Sequence, residues 1–353
     1  MNKISIFVKN LTSGGAEKQS VLLAKALVGH YDVHYIIFNG DKVHQKYMNI
    51  LKEDSRIRIQ SFTGSHIQRY SALVKYLKDN KIKAIFSYLT AANTYACLAG
   101  MQSNVKVFTG LRNAELPVFK CLVDRVLTNH FAEKAISNSF SGKENFVRKG
   151  FKEAKIIVIP NCFENIRTYS PKPQKDTLHI ITVGRFVQQK DYETAIRSIA
   201  ELRKYCDNFI FDIVGYGVLE SQIRDWIKTY RIDDITRIYI NPNNIAELLD
   251  NAAIYLSTSL FEGTSNSIME AMNADLPIVA TDVGDNNRLV KNRLNGYLCK
   301  PKDYLKVADY LKKLLLDINL RNEFGENSKK ILSEEYSVKR FQDKYISLLS
   351  SIL

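Results

Sequence analysis

The strongest constraint on this chain is a rhythm that stops once and starts again. Short runs of β-branched and aromatic residues alternate with amphipathic helical patterns. Ile4–Val8 reads as a buried strand, and further strands follow at Val33–Phe38, Ile57–Ser61, Ala84–Tyr88 and Val105–Thr109. The first intervening helix has apolar residues at Val21, Leu22, Ala24, Ala26 and Leu27, a helical spacing. A helix over Lys143–Lys149 leads into the apolar run Ile156–Ile159. Strands alternating with helices form a mostly parallel sheet covered on both faces, because parallel neighbours need a crossover connection.

The rhythm breaks at residues 167–176, a polar stretch holding Pro171 and Pro173, which has the character of a linker. It resumes with strands at His179–Val183, Phe209–Val214, Ile235–Ile240, Ile254–Leu256 and Pro277–Thr281. The helix after the first of these turns Ala195, Ile196, Ile199 and Leu202 to one face. Helical patterns at Tyr304–Leu316 and Val338–Leu353 close the chain. At 353 residues the chain is too long for one small core and suits two domains. The expected layout is a first domain over 1–166, a linker over 167–176, a second domain over 177–335, and a terminal helix over 336–353 that packs back on the first domain.

Charge separates the halves. Residues 1–170 hold 25 Lys and Arg against 12 Asp and Glu, a net of +13, whereas residues 171–353 hold 25 against 25. A half this basic fits an anionic partner such as a membrane surface or a lipid-linked phosphate, or else is a solubilising surface. The helix over Gln68–Asn80, with Arg69, Lys75 and Lys78, reads more simply as a solvated helix on a sheet than as a membrane-facing one. Five scattered cysteines without metal-ligand spacing favour a reducing cytoplasm over a disulfide frame or a zinc site. No apolar run approaches the length of a membrane span, so any membrane contact is expected to be peripheral.

In open α/β sheets ligands gather at the carboxyl ends of the strands. In the second half those ends carry Arg185 and Lys190, Gly215 and Gly217, Asn241, the stretch Glu262–Asn266, and Thr281–Gly284. The densest is the stretch from Ser257 to Met272. A strand ends in small hydroxyl residues, a Gly263 turn follows, and a helix opens with Ser265 or Asn266 as its cap. Glu262 stands before that turn and Glu270 is expected in the first helical turn. Cations and helix N-terminal amides suit a diphosphate, while an ionised carboxylate accepts from two sugar hydroxyls at once. A sugar nucleotide offers both groups. In the first half, Gly14 and Gly15 lie where a strand feeds a helix, and Arg112, Asn113 and Ser139 lie in strand-end loops.

These residues carry a resemblance. Gly184-Arg185-Phe186 with Lys190, Gly215-Tyr216-Gly217, and Glu262 paired with Glu270 eight positions on resemble the retaining glycosyltransferases of family 4, the group 1 transferases. Ser13–Glu17 and Ile159–Asn161 extend the likeness to nearly the whole chain. The resemblance implies the GT-B architecture, an α/β fold of two facing Rossmann-like domains with mostly parallel sheets and a cleft between them. It implies a nucleotide-diphosphate sugar as donor, UDP-linked by preference, and a hydroxyl of a glycan or lipid-linked glycan as acceptor. It implies no cofactor and no metal. Arg185 and Lys190 would neutralise the diphosphate and Glu262 would meet the donor sugar. Gly263, Thr264, Ser265 and Asn266 would line the donor, and Glu270 would hold the ribose. Gly215, Gly217 and Asn241 would flank the base, and Gly14 and Gly15 would close over the phosphates. Arg112, Asn113 and Ser139 are acceptor-side candidates.

The chain departs from the family in places. Relatives usually have Gly where Asp275, Asp285 and Cys162 stand here, and a Glu where Arg288 stands. A first-domain histidine common in relatives has no counterpart near Tyr88–Thr94, and His130 lies in a helical pattern as a structural residue. An epimerase or phosphorylase-like enzyme of the same fold is the alternative. A nucleic-acid-binding protein is a weaker one, since no recognition motif accompanies the basic charge.

Overall fold

The computed structural model describes residues 1–12, 14–112 and 116–353. The chain forms two compact units, one of Met1–Cys162 with Val338–Leu353, the other of Phe163–Ser337. The first is built on a seven-stranded sheet: β1 (Lys3–Val8), β2 (Asp32–Ile37), β3 (Arg58–Ser61), β4 (Ala84–Tyr88), β5 (Lys106–Leu111), β6 (Lys134–Ser137) and β7 (Ile156–Val158). Its order is β3-β2-β1-β4-β5-β6-β7, and every pairing is parallel. The second holds β8 (Leu178–Val183), β9 (Phe209–Gly215), β10 (Thr236–Ile240), β11 (Ile254–Ser257), β12 (Ile278–Thr281) and β13 (Gly296–Cys299). They lie in the order β10-β9-β8-β11-β12-β13, again all parallel. Both units are therefore Rossmann-like, with the chain winding outward from a central strand in two directions.

Burial follows the two-residue period of the strands. Ile4, Ile6 and Val8 join one apolar layer with Leu23 and Leu27, while Phe7 joins the opposite layer with Leu73 and Leu77. In the second unit Ile254 and Leu256 feed one layer and Tyr255 the other. A strand that must satisfy cores on both faces reads as a continuous apolar run, which is why these strands are legible. The helix Val338–Ser350 buries Phe341, Tyr345, Leu348 and Leu349 in the first layer, and the Tyr345 ring meets Phe86 edge-on. Residues 167–176 form no helix or strand. Arg167 grips both carboxylate oxygens of Asp250 at 2.8 and 2.6 Å, and the Lys172 ammonium donates to the Asp250 carbonyl at 2.6 Å.

Some elements differ from expectation. The helix expected from Lys143 begins at Phe140, because the Ser139 hydroxyl caps it by accepting from Gly142 N–H. Helices Val118–Val126 and Ile318–Tyr336 and strand β13 were not foreseen. Gly325 explains the longest of these. Glycine at mid-helix weakens a helical reading, yet a Cβ there would lie 2.3 Å from the Asp275 carbonyl oxygen, so the close approach requires it. Among the described residues no helix is long and apolar enough to cross a membrane.

Candidate active site

In the second unit β8 and β11 are hydrogen-bonded neighbours, although β9 and β10 intervene in sequence. The connections leave this pair in opposite directions, and the crevice beyond their carboxyl ends is where such folds hold ligands. Two loops meet there. One leaves β8 through Gly184, Arg185 and Phe186 to the short turn Gln188–Lys190, where Asp191 takes a left-handed conformation at φ 47°. Its carboxylate accepts from the Thr194 hydroxyl at 2.7 Å, opening helix Tyr192–Leu202. The other leaves β11 through Thr258 and runs to the helix Asn266–Asn273.

The loops are joined by an ion pair. The Lys190 ammonium lies 2.5 Å from Glu262 Oε1, and the Ser259 hydroxyl donates to the same oxygen at 2.8 Å. The pair is mostly enclosed, with side-chain exposures of 17% and 10%. Backbone stitching holds both partners. Thr258 Oγ1 donates to the carbonyls of Lys190 and Asp191 at 3.0 and 2.9 Å. Leu260 N–H donates to the Gln189 carbonyl, and Gln189 Nε2 returns a bond to the Phe261 carbonyl, both at 2.8 Å. From the next strand, Thr281 Oγ1 donates to the Ser259 carbonyl at 2.6 Å. Gly284, at φ 54°, lies so close that a Cβ would stand 1.8 Å from the Glu262 carbonyl oxygen. Only glycine fits such a contact in that conformation.

Arg185 is exposed, and its guanidinium has no hydrogen-bond or ion-pair partner among the described residues. One loop thus presents a free cation and the other a paired carboxylate. Gly215 and Gly217 are explained first by packing, since a Cβ on Gly215 would lie 1.9 Å from the Gly184 carbonyl oxygen and one on Gly217 2.6 Å from that of Phe186. Asn241, at φ 45°, donates its N–H to the Gly215 carbonyl at 3.0 Å, so the turn and the Asn241 segment are one backbone unit.

Ser265 is the N-cap of helix Asn266–Asn273, its hydroxyl accepting from Ile268 N–H at 3.5 Å. Between Glu262 and that cap lie Gly263, half-buried, and Thr264, buried, while Asn266 is exposed. Because the helix starts at Asn266, Glu270 is its fifth residue and stands in the second turn, not the first as expected. Tyr255 is a neighbour that sequence reasoning missed. Its hydroxyl donates to the Val183 carbonyl at 3.3 Å, bridging β11 to the end of β8. Burial raises its pKa above the usual phenol value, with Glu270 and Glu262 adding to the effect. Gln189 was missed as well, and Thr258, Ser259 and Thr281 were placed at strand ends without the bonds they make. A hydroxyl or amide that braces a loop leaves no spacing signature in a single sequence.

In the first unit Gly14 is the N-cap of helix Gly15–Leu27, and the Glu17 carboxylate occupies the space beside it, 2.4 Å from where a Cβ would stand. Arg112 follows β5, donating to Asn161 Oδ1 at 3.2 Å and to the Tyr345 hydroxyl at 3.4 Å, with its guanidinium 4.5 Å from the Tyr88 ring centre. Asn113 lies outside the described residues. Ser139 is buried and its hydroxyl is used in capping. His130, expected to be structural, is exposed in the turn Leu127–Phe131. Among the described residues no group of three or more His, Cys, Asp or Glu side chains could hold a metal ion.

Residues 164–331 match the family model described as glycosyl transferases group 1. The whole chain is 24% identical to the GalNAc-alpha-(1->4)-GalNAc-alpha-(1->3)-diNAcBac-PP-undecaprenol alpha-1,4-N-acetyl-D-galactosaminyltransferase of Campylobacter jejuni, covering 100% of this chain and 99% of that one. It is 26% identical to an uncharacterized glycosyltransferase of Haemophilus influenzae, covering 99% and 100%. Among solved structures, Anabaena Alr3699/HepE in complex with UDP superposes with a TM-score of 0.84 at 18% identity, covering 100% of both chains. The apo lipopolysaccharide outer core galactosyltransferase WaaB gives 0.78 at 18%, covering 99% of this chain and 100% of that one. In residues 164–331 the chain is thus similar to the glycosyl transferases group 1, and along its whole length it has the GT-B fold of two Rossmann-like domains.

Proposed function

We propose that this protein is a retaining, metal-independent glycosyltransferase. It moves a sugar from a nucleotide-diphosphate sugar, UDP-linked by preference, to a hydroxyl of a glycan or lipid-linked glycan in surface polysaccharide biosynthesis. The observation that carries this reading is the Lys190–Glu262 pair at the β8/β11 switch point, with the Arg185 guanidinium on the same loop unpartnered among the described residues. Such a site offers positive charge to a diphosphate and a carboxylate to sugar hydroxyls. The named relatives support the acceptor class: one acts on an undecaprenol-linked glycan, and another is named a poly(ribitol-phosphate) alpha-N-acetylglucosaminyltransferase. UDP in the HepE complex supports the donor.

In the proposed reaction the bond between the sugar's anomeric carbon and the diphosphate oxygen breaks first, and its electrons pass to the leaving diphosphate. The acceptor oxygen then bonds to that carbon on the same face, and its proton goes to a diphosphate oxygen, so configuration is retained. Arg185 and Lys190 stabilise the charge on the leaving group. Glu262 holds the sugar and Glu270 the ribose. Lys190 must turn from Glu262 toward the phosphate when the donor binds, so the pair serves as a resting arrangement. Gly14 and Gly15 are proposed to meet the phosphates, and Arg112 the acceptor. Contact with an anionic membrane would bring the enzyme to a lipid-linked substrate.

Thermal unfolding with UDP, GDP, ADP and their sugars tests the donor class. A ligand at 100 times its Kd should add about 2.7 kcal/mol to stability. Stabilisation by uridine compounds is expected, and indifference to every nucleotide diphosphate would overturn the proposal.

A further inference from the structure

Helix Val118–Val126 in the first unit presents its apolar face to solvent. Val118 is 88% exposed, Phe119 75%, Leu122 45% and Val126 43%. At about 100° per residue these four share one side of the helix. The buried side holds Cys121 and Asp124. An amphipathic helix packed on a sheet ordinarily turns its apolar stripe inward, so this one is laid the other way. Asp124 is what faces the protein. Its carboxylate accepts from Thr90 Oγ1 at 2.6 Å and Asn93 Nδ2 at 2.9 Å, which fixes the helix in that rotation. The turn that follows, Leu127–Phe131, adds Phe131 at 42% exposure. Beside the helix is a groove of about 340 Å³ lined by Leu116, Val118, Cys121, Leu122, Arg125 and Lys149.

Cations lie on this helix and beside the groove. Lys120 is exposed on the helix, and Arg125 reaches along the groove to donate to the Lys149 carbonyl at 3.1 Å. Lys152 is exposed, and its backbone N–H is bonded to Asn129 in the following turn. Asp124, the acidic residue of the helix, is buried and offers no surface charge. Large apolar side chains with lysine and arginine beside them complement the boundary of an anionic bilayer, where chains take up the apolar groups and phosphates face the cations.

We infer that the outward face of helix Val118–Val126, with Phe131 and the adjoining groove, is a docking surface that inserts into an anionic lipid bilayer. The inference deepens the proposed transfer to a lipid-linked acceptor and rests on that reading for its setting. It changes the expected mode of contact. A purely electrostatic association is lost at high salt, whereas inserted valine, leucine and phenylalanine side chains leave a salt-resistant part.

Co-sedimentation of the full chain with vesicles of phosphatidylglycerol and phosphatidylcholine tests it. Wild type should bind, and a measurable part of that binding should survive about 1 M salt, where the screening length is about 3 Å. The double variant F119S/L122S should bind at least tenfold more weakly and lose the salt-resistant part. K120Q/K152Q should lose mainly the salt-sensitive part. The altered side chains are exposed, so melting temperature and stabilisation by UDP should match wild type in both variants, which separates this inference from the donor reading. Wild-type indifference to anionic vesicles would overturn it. So would equal vesicle affinity of F119S/L122S, or a wild-type dimer that this variant dissolves, which would make the face a contact between copies. Loss of UDP stabilisation with vesicle binding intact would count against the proposed function alone.

Discussion

At the scale of single residues the site divides into charges that act and groups that hold them. Arg185 and Lys190 lie on one loop, but only Lys190 has a carboxylate partner among the described residues. An exposed, unpartnered guanidinium contributes little to folding, so Arg185→Ala should leave the melting temperature unchanged. If Arg185 stabilises the leaving diphosphate, kcat should fall about 10²- to 10³-fold, as when one well-placed donor is removed from a developing charge. Steady-state kinetics beside a thermal melt decides this, and near-normal turnover in the folded variant would remove Arg185 from the reaction. The charged residues were visible in sequence because their spacing is a motif. The braces were not. Ser259, Thr258, Gln189 and the strand-end Thr281 are ordinary residues until the structure shows which carbonyl or carboxylate each one meets. Gly215 and Gly217 were legible as special positions, but sequence could not show that backbone from the neighbouring strand end fills the space beside them.

At the scale of elements, the helix bearing Glu270 is held from behind. Its last residue, Asn273, offers its carbonyl to the Lys329 ammonium and to Arg167. Lys329 also pairs with Asp275 at 3.1 Å, their side chains 7% and 10% exposed. Asp275 takes φ 61°, a left-handed position where relatives usually have Gly, so this chain accepts a strained residue together with a buried ion pair. Burial pushes the Asp275 carboxyl up and the Lys329 ammonium down from their ordinary pKa values, so each would suffer without the other. Lys329→Met should therefore cost about 3–5 kcal/mol by stranding the carboxylate. Adding Asp275→Gly should recover much of that loss, because it removes the stranded charge and supplies a residue suited to the backbone. Denaturant unfolding of both variants checks this, and a Lys329→Met protein as stable as wild type would refute it. The helix Ile318–Tyr336 that carries Lys329 was hidden in sequence by Gly325, a packing glycine with the look of a break.

At the scale of the molecule, two parallel sheets were legible because each strand must satisfy apolar layers on both sides and so reads as an unbroken run. The outward-facing helix was not legible, because periodicity shows that a helix has an apolar side but not which way it turns. That rotation is set by Asp124 meeting Thr90 and Asn93, 34 and 31 residues away. Two units with separate cores need not unfold as one, and the proposed donor residues are concentrated in the second. UDP at 100 times its Kd should then slow amide hydrogen exchange chiefly in residues 184–191, 257–270 and the strands β8 and β11 beneath them, by up to the hundredfold that about 2.7 kcal/mol allows. In the first unit, added protection should be confined to the start of helix Gly15–Leu27, where Gly14 and Gly15 are proposed to reach the phosphates, while β2 and β3 exchange as before. Hydrogen exchange read by mass spectrometry resolves these segments. Protection centred on the first unit would place the nucleotide on the wrong sheet, and with it the roles given to Arg185, Lys190, Glu262 and Glu270.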